Sequence, residues 1–175
     1  LISIAAGLTL SDLKHLADSE NQPIIRVMPN INAQIGQSTS AIVKNEFVDD
    51  SAYATVQEIF KSTGSVHEIA EKDFSTFAAI AGSSPAFIYM FIDAMARAGV
   101  LHGIPKDQAT AIVAETVRAS AEMILQSGEN PWSLVDKVSS PGGTTVAGVV
   151  SLEQNHFIGT VIDAISATIE KEKNL

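Results

Sequence analysis

The stretch Ser139-Ser140-Pro141-Gly142-Gly143-Thr144-Thr145 holds the residue types best suited to chemistry. Ser140 is a natural N-cap and Pro141 suits a first helical position, so a helix is expected to open there. Two glycines in a first helical turn are locally poor, by about 1 kcal/mol each relative to alanine. What they offer is access. The N–H groups of Gly142, Gly143 and Thr144 can close on an anion, and a helix N-terminus favours a carboxylate or a phosphate. Thr145 then sets a hydroxyl beside that anion. An ordinary glycine-rich turn with a serine cap explains the same residues equally well.

Other segments are weaker signals. Gly82-Ser83-Ser84-Pro85-Ala86 has the same build, but no acid, base or charge stands beside it, which favours close helix packing or a proline kink. Arg26-Val27-Met28-Pro29-Asn30 leads from a strand into a loop, where ligands of open α/β sheets gather, so the Asn30 amide is a cofactor candidate. Pro-Asn is also a common turn. Ile4-Ala5-Ala6-Gly7 ends a strand with residues small enough for a flat ring to pass. Glu68, Glu71 and Asp73 cluster, with solvated charge and a helix cap as the plain account. The four histidines are scattered and lack metal-ligand spacing. No Gly-x-Ser-x-Gly, P-loop or Gly-x-Gly-x-x-Gly occurs, so this sequence lacks the pyrophosphate-binding turn of a dinucleotide fold.

The elements that must position these residues fall into two grammars. Residues 1–6 read as a short buried strand closed by Gly7, and Leu8 to Leu13 as the start of a helix capped by Thr9 or Ser11. Residues 24–28 and 41–43 read as strands, 52–63 as a helix capped by Asp49-Asp50-Ser51 with Val56, Ile59 and Phe60 on one face, and 66–69 as a last strand. This alternation predicts part of an α/β layer with a largely parallel sheet. After Glu71 the pattern is helical. Residues 74–81 and 86–102 are apolar on nearly every face, as buried helices are. Further helices are expected over 106–126, from Asn130-Pro131 to Val138, from Ser140-Pro141, and from Glu153 or Asn155 to the charged end.

Composition narrows the function. The 175 residues carry 20 Asp+Glu against 11 Lys+Arg, a formal charge of −9, without the basic stripes that nucleic acid or an anionic membrane surface requires. Zero cysteines exclude disulfides, thiolate metal sites and a cysteine nucleophile, and fit a reducing, cytoplasmic setting. At 46% hydrophobic and 18% charged the chain is not disordered. The uncharged run from Ser75 to Ile92 approaches membrane-spanning length, but Gly82 to Pro85 interrupts it and Asp93 follows, so a soluble helix is expected. No secretory signal is legible, and the opening Leu1-Ile2-Ser3-Ile4 reads as a strand cut from a longer protein.

Taken together, Ala5-Ala6-Gly7, Arg26-Val27-Met28-Pro29-Asn30, Gly82-Ser83-Ser84-Pro85-Ala86 and Val138 to Thr145, in this order and spacing and followed by Val149-Val150-Ser151-Leu152-Glu153, resemble the pyrroline-5-carboxylate reductases along the whole chain. The resemblance implies hydride transfer from NADPH or NADH to the imine of 1-pyrroline-5-carboxylate, giving L-proline. It implies a partial Rossmann domain over 1–70 and an all-helical dimerisation and substrate-binding domain over 71–175, mainly α overall. Thr145 would be catalytic. Glu71, Ser140, Gly142, Gly143, Thr144 and Thr145 would hold substrate, and Ile4, Ala5, Ala6, Met28, Asn30 and Lys137 would line the cofactor. Lys137 stands where some relatives carry an asparagine. A homodimer through the helical domain, or a decamer, is expected, because the apolar helices offer more surface than they can hide among themselves. The alternative is a catalytically silent assembly module. Hydroxyacid and phosphogluconate dehydrogenases of similar plan are disfavoured, since residues 87–103 contain no lysine.

Overall fold

Thr9 accepts a hydrogen bond from the Asp12 amide while the Asp12 carboxylate accepts from the Thr9 amide, a reciprocal cap that starts the first helix. The computed structural model describes residues 1–173. Its chain runs β1 (Ile2–Ser3), α1 (Leu10–Leu16), β2 (Ile25–Met28), β3 (Ser38–Lys44), α2 (Asp50–Lys61) and β4 (Gly64–Glu68). There follow α3 (Phe74–Phe77), a π-helical segment (Ala78–Ser83), α4 (Ser84–Leu101), α5 (Lys106–Ser127), α6 (Pro131–Val138), α7 (Thr144–Gln154) and α8 (Phe157–Glu172).

The strands lie in the order β1-β2-β3-β4, with β1/β2 and β3/β4 parallel and β2/β3 antiparallel. The largely parallel sheet expected from the alternation is therefore mixed. A parallel crossover needs a dozen or more residues, and residues 29–37 are too few. That segment instead forms a 3-10 turn over Ile31–Ile35, capped by the Asn30 side chain and ended by Gly36 at φ +70°. The first strand is also shorter than expected, two residues rather than six.

Strand alternation builds the core of this part. Ile25, Val27 and Ile42 face α2 and meet Tyr53, Val56 and Val48, with Phe60 alongside. The intervening Ala41, with Met28 and Val43, faces the other way and meets Phe74, Phe77 and Ala81. Burying each large aliphatic side chain here stabilises by about 1.5–3 kcal/mol. Ile59, expected on the packed face of α2, is 53% exposed.

Residues 74–101 form one continuous helical run instead of two helices broken at Gly82-Ser83-Ser84-Pro85. The π-helical segment absorbs the proline, which has no N–H and would clash with the carbonyl four residues back. By length and composition the run from Glu71 to Leu101 could cross a membrane. Its first part is buried on the sheet, as expected for Phe74, Phe77, Ala78, Ala79 and Ala81. The expectation of burial fails beyond Ala86, where Tyr89 is 56% and Met90 72% exposed.

By compactness the chain divides into one unit of Leu1–Pro85 with the chain from Ala164 on, and another of Ala86–Asp163. Within the second, Ala96, Ala109 and Val113 are buried, and Gly99 lets α4 approach α5, since a Cβ on it would stand 3.1 Å from that of Ala109. Ile112, beside Val113 on the same helix, is exposed. The α7 helix ends at Gln154, His156 takes the left-handed conformation at φ +59°, and α8 begins at Phe157.

Candidate active site

The Ser140 to Thr145 segment begins as a turn, not as the helix expected from Ser140 and Pro141. The Gly143 amide donates to the Ser140 carbonyl at 3.0 Å, and Gly142 sits at φ +70°. Proline followed by a left-handed glycine is the pattern of a type II turn. The cap of α7 is then Gly143, extended at φ −78° and ψ 172°, with no side-chain cap bond. A Cβ on Gly143 would run into Ser140 Oγ and stand 3.1 Å from the Ser140 carbonyl oxygen, so a larger residue here would have to push the Ser140 side chain aside.

The change of cap moves the anion-facing amides by two residues. The Gly143 amide is engaged in the turn, and the amides that a helix leaves without an i−4 acceptor belong to Thr144, Thr145 and Val146. Ser140, Gly142, Thr144 and Thr145 are exposed and Gly143 half-buried. Open amides, a partial positive helix end and the Thr145 hydroxyl stand together on this loop, an arrangement able to receive a carboxylate and to hydrogen-bond a neighbouring atom.

Lys137, expected at the cofactor, makes a bidentate contact with Glu129 at 2.5 and 2.6 Å. That pair closes the turn between α5 and α6, where Gly128 at φ +65° ends one helix and Asn130 caps the next.

The remaining candidates lie in the other unit. The register Ser3↔Arg26 brings Ile4-Ala5-Ala6 and Met28-Pro29-Asn30 out of the same end of the parallel pair β1/β2. Ile4, Ala5 and Ala6 are exposed and Met28 packs beside Phe74 and Phe77. The Asn30 side chain is already engaged: its Oδ1 accepts from the Asn32 and Thr39 amides at 3.1 and 3.4 Å, and its Nδ2 donates to the Ala81 carbonyl at 3.0 Å.

Glu71 is more than solvated charge. Its Oε1 accepts from the Leu10 amide at 2.5 Å and from Arg26 Nη1 at 3.3 Å, tying α1, β2 and the start of the helical run. The Arg26 side chain is only 6% exposed and lies over the Phe74 ring at 4.4 Å; its Nε is buried without a hydrogen-bond partner. Arg26, Glu71, Thr9 and Ser75 line a cavity of about 500 Å³. The Thr9 cap bonds, with the Arg26 charge adding a little, hold the Asp12 carboxyl below its ordinary value. Arg26 had no assigned role in the sequence, although a lone charge inside Ile24-Ile25-Arg26-Val27 is itself a signal. Glu129 was likewise missed.

Comparison with known proteins gives a consistent result. The profile of the pyrroline-5-carboxylate reductase dimerisation family matches residues 71–175. The chain is 39% identical over all of its 175 residues to a pyrroline-5-carboxylate reductase of Aquifex aeolicus and 41% identical to that of Escherichia coli, covering 66% and 65% of their lengths. It thus spans just under two thirds of these curated relatives. A crystal structure of 1-pyrroline-5-carboxylate reductase from Streptococcus pyogenes superposes with a TM-score of 0.94 at 47% identity, over 99% of this chain and 67% of that one. A Plasmodium falciparum pyrroline carboxylate reductase with NADP bound superposes at 0.93 and 37% identity, over 99% and 70%.

Proposed function

Because this chain belongs to the pyrroline-5-carboxylate reductase family, we propose that it serves the reduction of the C=N bond of 1-pyrroline-5-carboxylate to L-proline. The observation that carries the reading is the Ser140–Gly143 turn, which opens the start of α7 and sets the Thr145 hydroxyl beside its free amides. The substrate carboxylate binds those amides, with Ser140, Gly142, Gly143 and Thr144 shaping the approach. Thr145 hydrogen-bonds the ring nitrogen and Glu71 completes the substrate contacts.

NADPH or NADH, when bound, supplies the hydride. The residues present fit its reactive end: two parallel strands deliver the small Ala5-Ala6 and the Met28–Asn30 segment to the same, carboxyl end of the pair. Ile4, Ala5, Ala6, Met28, Asn30 and Lys137 are the proposed cofactor side, Lys137 after exchanging its contact with Glu129. The imine carbon takes the hydride, its π electrons pass to nitrogen, and nitrogen carries the proton. Such an electrophile needs positioning more than activation, which matches a site without a strong acid.

The other parts of the proposal follow from the helical residues 71–175. Exposed apolar side chains of α4, such as Tyr89 and Met90, favour a homodimer through this domain, the smallest unit of any larger ring. The protein then acts in the cytoplasm, away from nucleic acid and membranes. The test is Thr145→Ala in the full-length protein, assayed by proline-dependent NAD(P)⁺ reduction and by light scattering. Turnover falls about 10²-fold with the dimer intact; unchanged kinetics would remove Thr145 from the reaction.

A further inference from the structure

Pro85 takes one donor away from the helical run whichever register the run adopts. In an α-helical register its missing N–H belongs to the Ala81 carbonyl, and in a π register to the Ile80 carbonyl. The structure supplies both carbonyls with donors from side chains. Ser84 Oγ donates to the Ile80 carbonyl at 2.7 Å, and Asn30 Nδ2 reaches across from the end of β2 to the Ala81 carbonyl at 3.0 Å. Ala81 and Pro85 are buried, where an unpaired carbonyl is expensive. Asn30 is itself fixed: its backbone amide donates to Ser38 Oγ at 3.2 Å, and that hydroxyl pairs with the buried Ser40 hydroxyl at 3.0 Å.

We infer that Asn30 is a positioning residue, a latch whose amide replaces the donor that Pro85 lacks and so locks the π-helical turn Ala78–Ser83 onto the carboxyl end of β2. The latch holds together two features that the sequence shows only as separate motifs, the Pro-Asn after β2 and the Gly-Ser-Ser-Pro that leads into α4. With both ends of its side-chain amide engaged within the chain, Asn30 shapes the proposed cofactor side through Ala81. Its kinetic consequence rests on the reductase reading above, in which the end of β2 faces the cofactor; the latch itself does not.

The test is a double-mutant cycle with Asn30→Asp and Pro85→Ala in the full-length protein, read by amide hydrogen exchange over residues 82–87 and by steady-state kinetics. Aspartate keeps the acceptor for the Asn32 and Thr39 amides and loses the donor to Ala81. Asn30→Asp alone is expected to speed exchange there about tenfold and to raise KM for NAD(P)H more than KM for the imine. In the Pro85→Ala background residue 85 regains an N–H, and the same substitution changes exchange by less than about threefold. Equal effects in both backgrounds, or no effect of Asn30→Asp, overturn the latch. Should Asn30→Asp fail to fold, Asn30→Ser, too short to reach Ala81, is read in the same way. Coupled exchange with kinetics unchanged overturns the positioning role, whereas coupled exchange in a wild-type protein without reductase activity sinks the functional reading and leaves the latch standing.

Discussion

The Arg26–Glu71 pair gives the sharpest stability prediction. At 3.3 Å the gross attraction is about 5 kcal/mol at an effective dielectric of about 20. Against it stands the desolvation of Arg26, 6% exposed, whereas Glu71 at 31% keeps part of its water. The net worth of the pair is therefore small, but breaking it from one side is not. Glu71→Gln keeps an acceptor for the Leu10 amide and leaves Arg26 as a buried charge whose Nε already lacks a partner. That should cost about 2–4 kcal/mol, below the full penalty for a buried pair because Arg26 still stacks on Phe74. Arg26→Met keeps an apolar stem on the ring, removes the charge and should cost only about 1 kcal/mol. The double variant should match Arg26→Met. Native-state hydrogen exchange at the β2 and β3 amides reads the stability of the strands that carry Arg26. The reasoning is refuted if Arg26→Met proves costlier than Glu71→Gln, or if the two costs simply add.

Three other expectations follow from single residues. Burial first, and the Glu68 charge second, push the Tyr53 hydroxyl from 10.0 up to about 12. The unfolded chain releases that proton first, so stability present below pH 10 drains away as pH rises toward 12. Tyr53→Phe should flatten the fall of the urea midpoint across that window and, by removing a buried hydroxyl without a partner, leave stability at neutral pH nearly unchanged. His156→Gly, at φ +59°, should raise Tm by about 2 °C, because glycine accepts the left-handed conformation at lower cost; a lower Tm would mean that the imidazole makes a stabilising contact. Gly143→Ala should raise KM for the imine about tenfold with little change in Tm, since the added Cβ displaces Ser140 on an exposed loop. An unaltered KM would show that the turn does not shape the substrate site.

Much of the fold was legible because its signals are local. Thr9 and Asp49 each sit one residue before a helix and accept from the amide three residues on, as their residue types suggest. The strand 24–28 shows itself by β-branched residues, and the turn at Asn130-Pro131 by its cap and its N1 proline. What was not legible depends on partners distant in sequence. Nothing near Arg26 announces Glu71, 45 residues later, nor does Asn30 announce Ala81, 51 residues later. The sheet direction turned on the brevity of one connection. The exposed face of α4 reads as buried in the sequence because an apolar side chain does not say which surface covers it.

The two Ser-Pro dipeptides show how one local rule yields different structures. Ser84-Pro85 and Ser140-Pro141 both match a cap followed by an N1 proline, and neither starts a helix in the expected way. In the first, an apolar run on the preceding side packs Phe74, Phe77 and Ala81 on the sheet, so the helix is already under way when the proline arrives and widens into a π turn. Ala86 follows, and with a Cβ it resists the positive φ that would turn the chain away. In the second, the residue after proline is Gly142, which takes φ +70° and lets the turn close before α7 begins. The glycines that look costly inside a helix are thus not inside one. Their positions are those a tight turn requires, and the first open helical amides pass to Thr144 and Thr145, the residues that the proposed reading sets at the substrate.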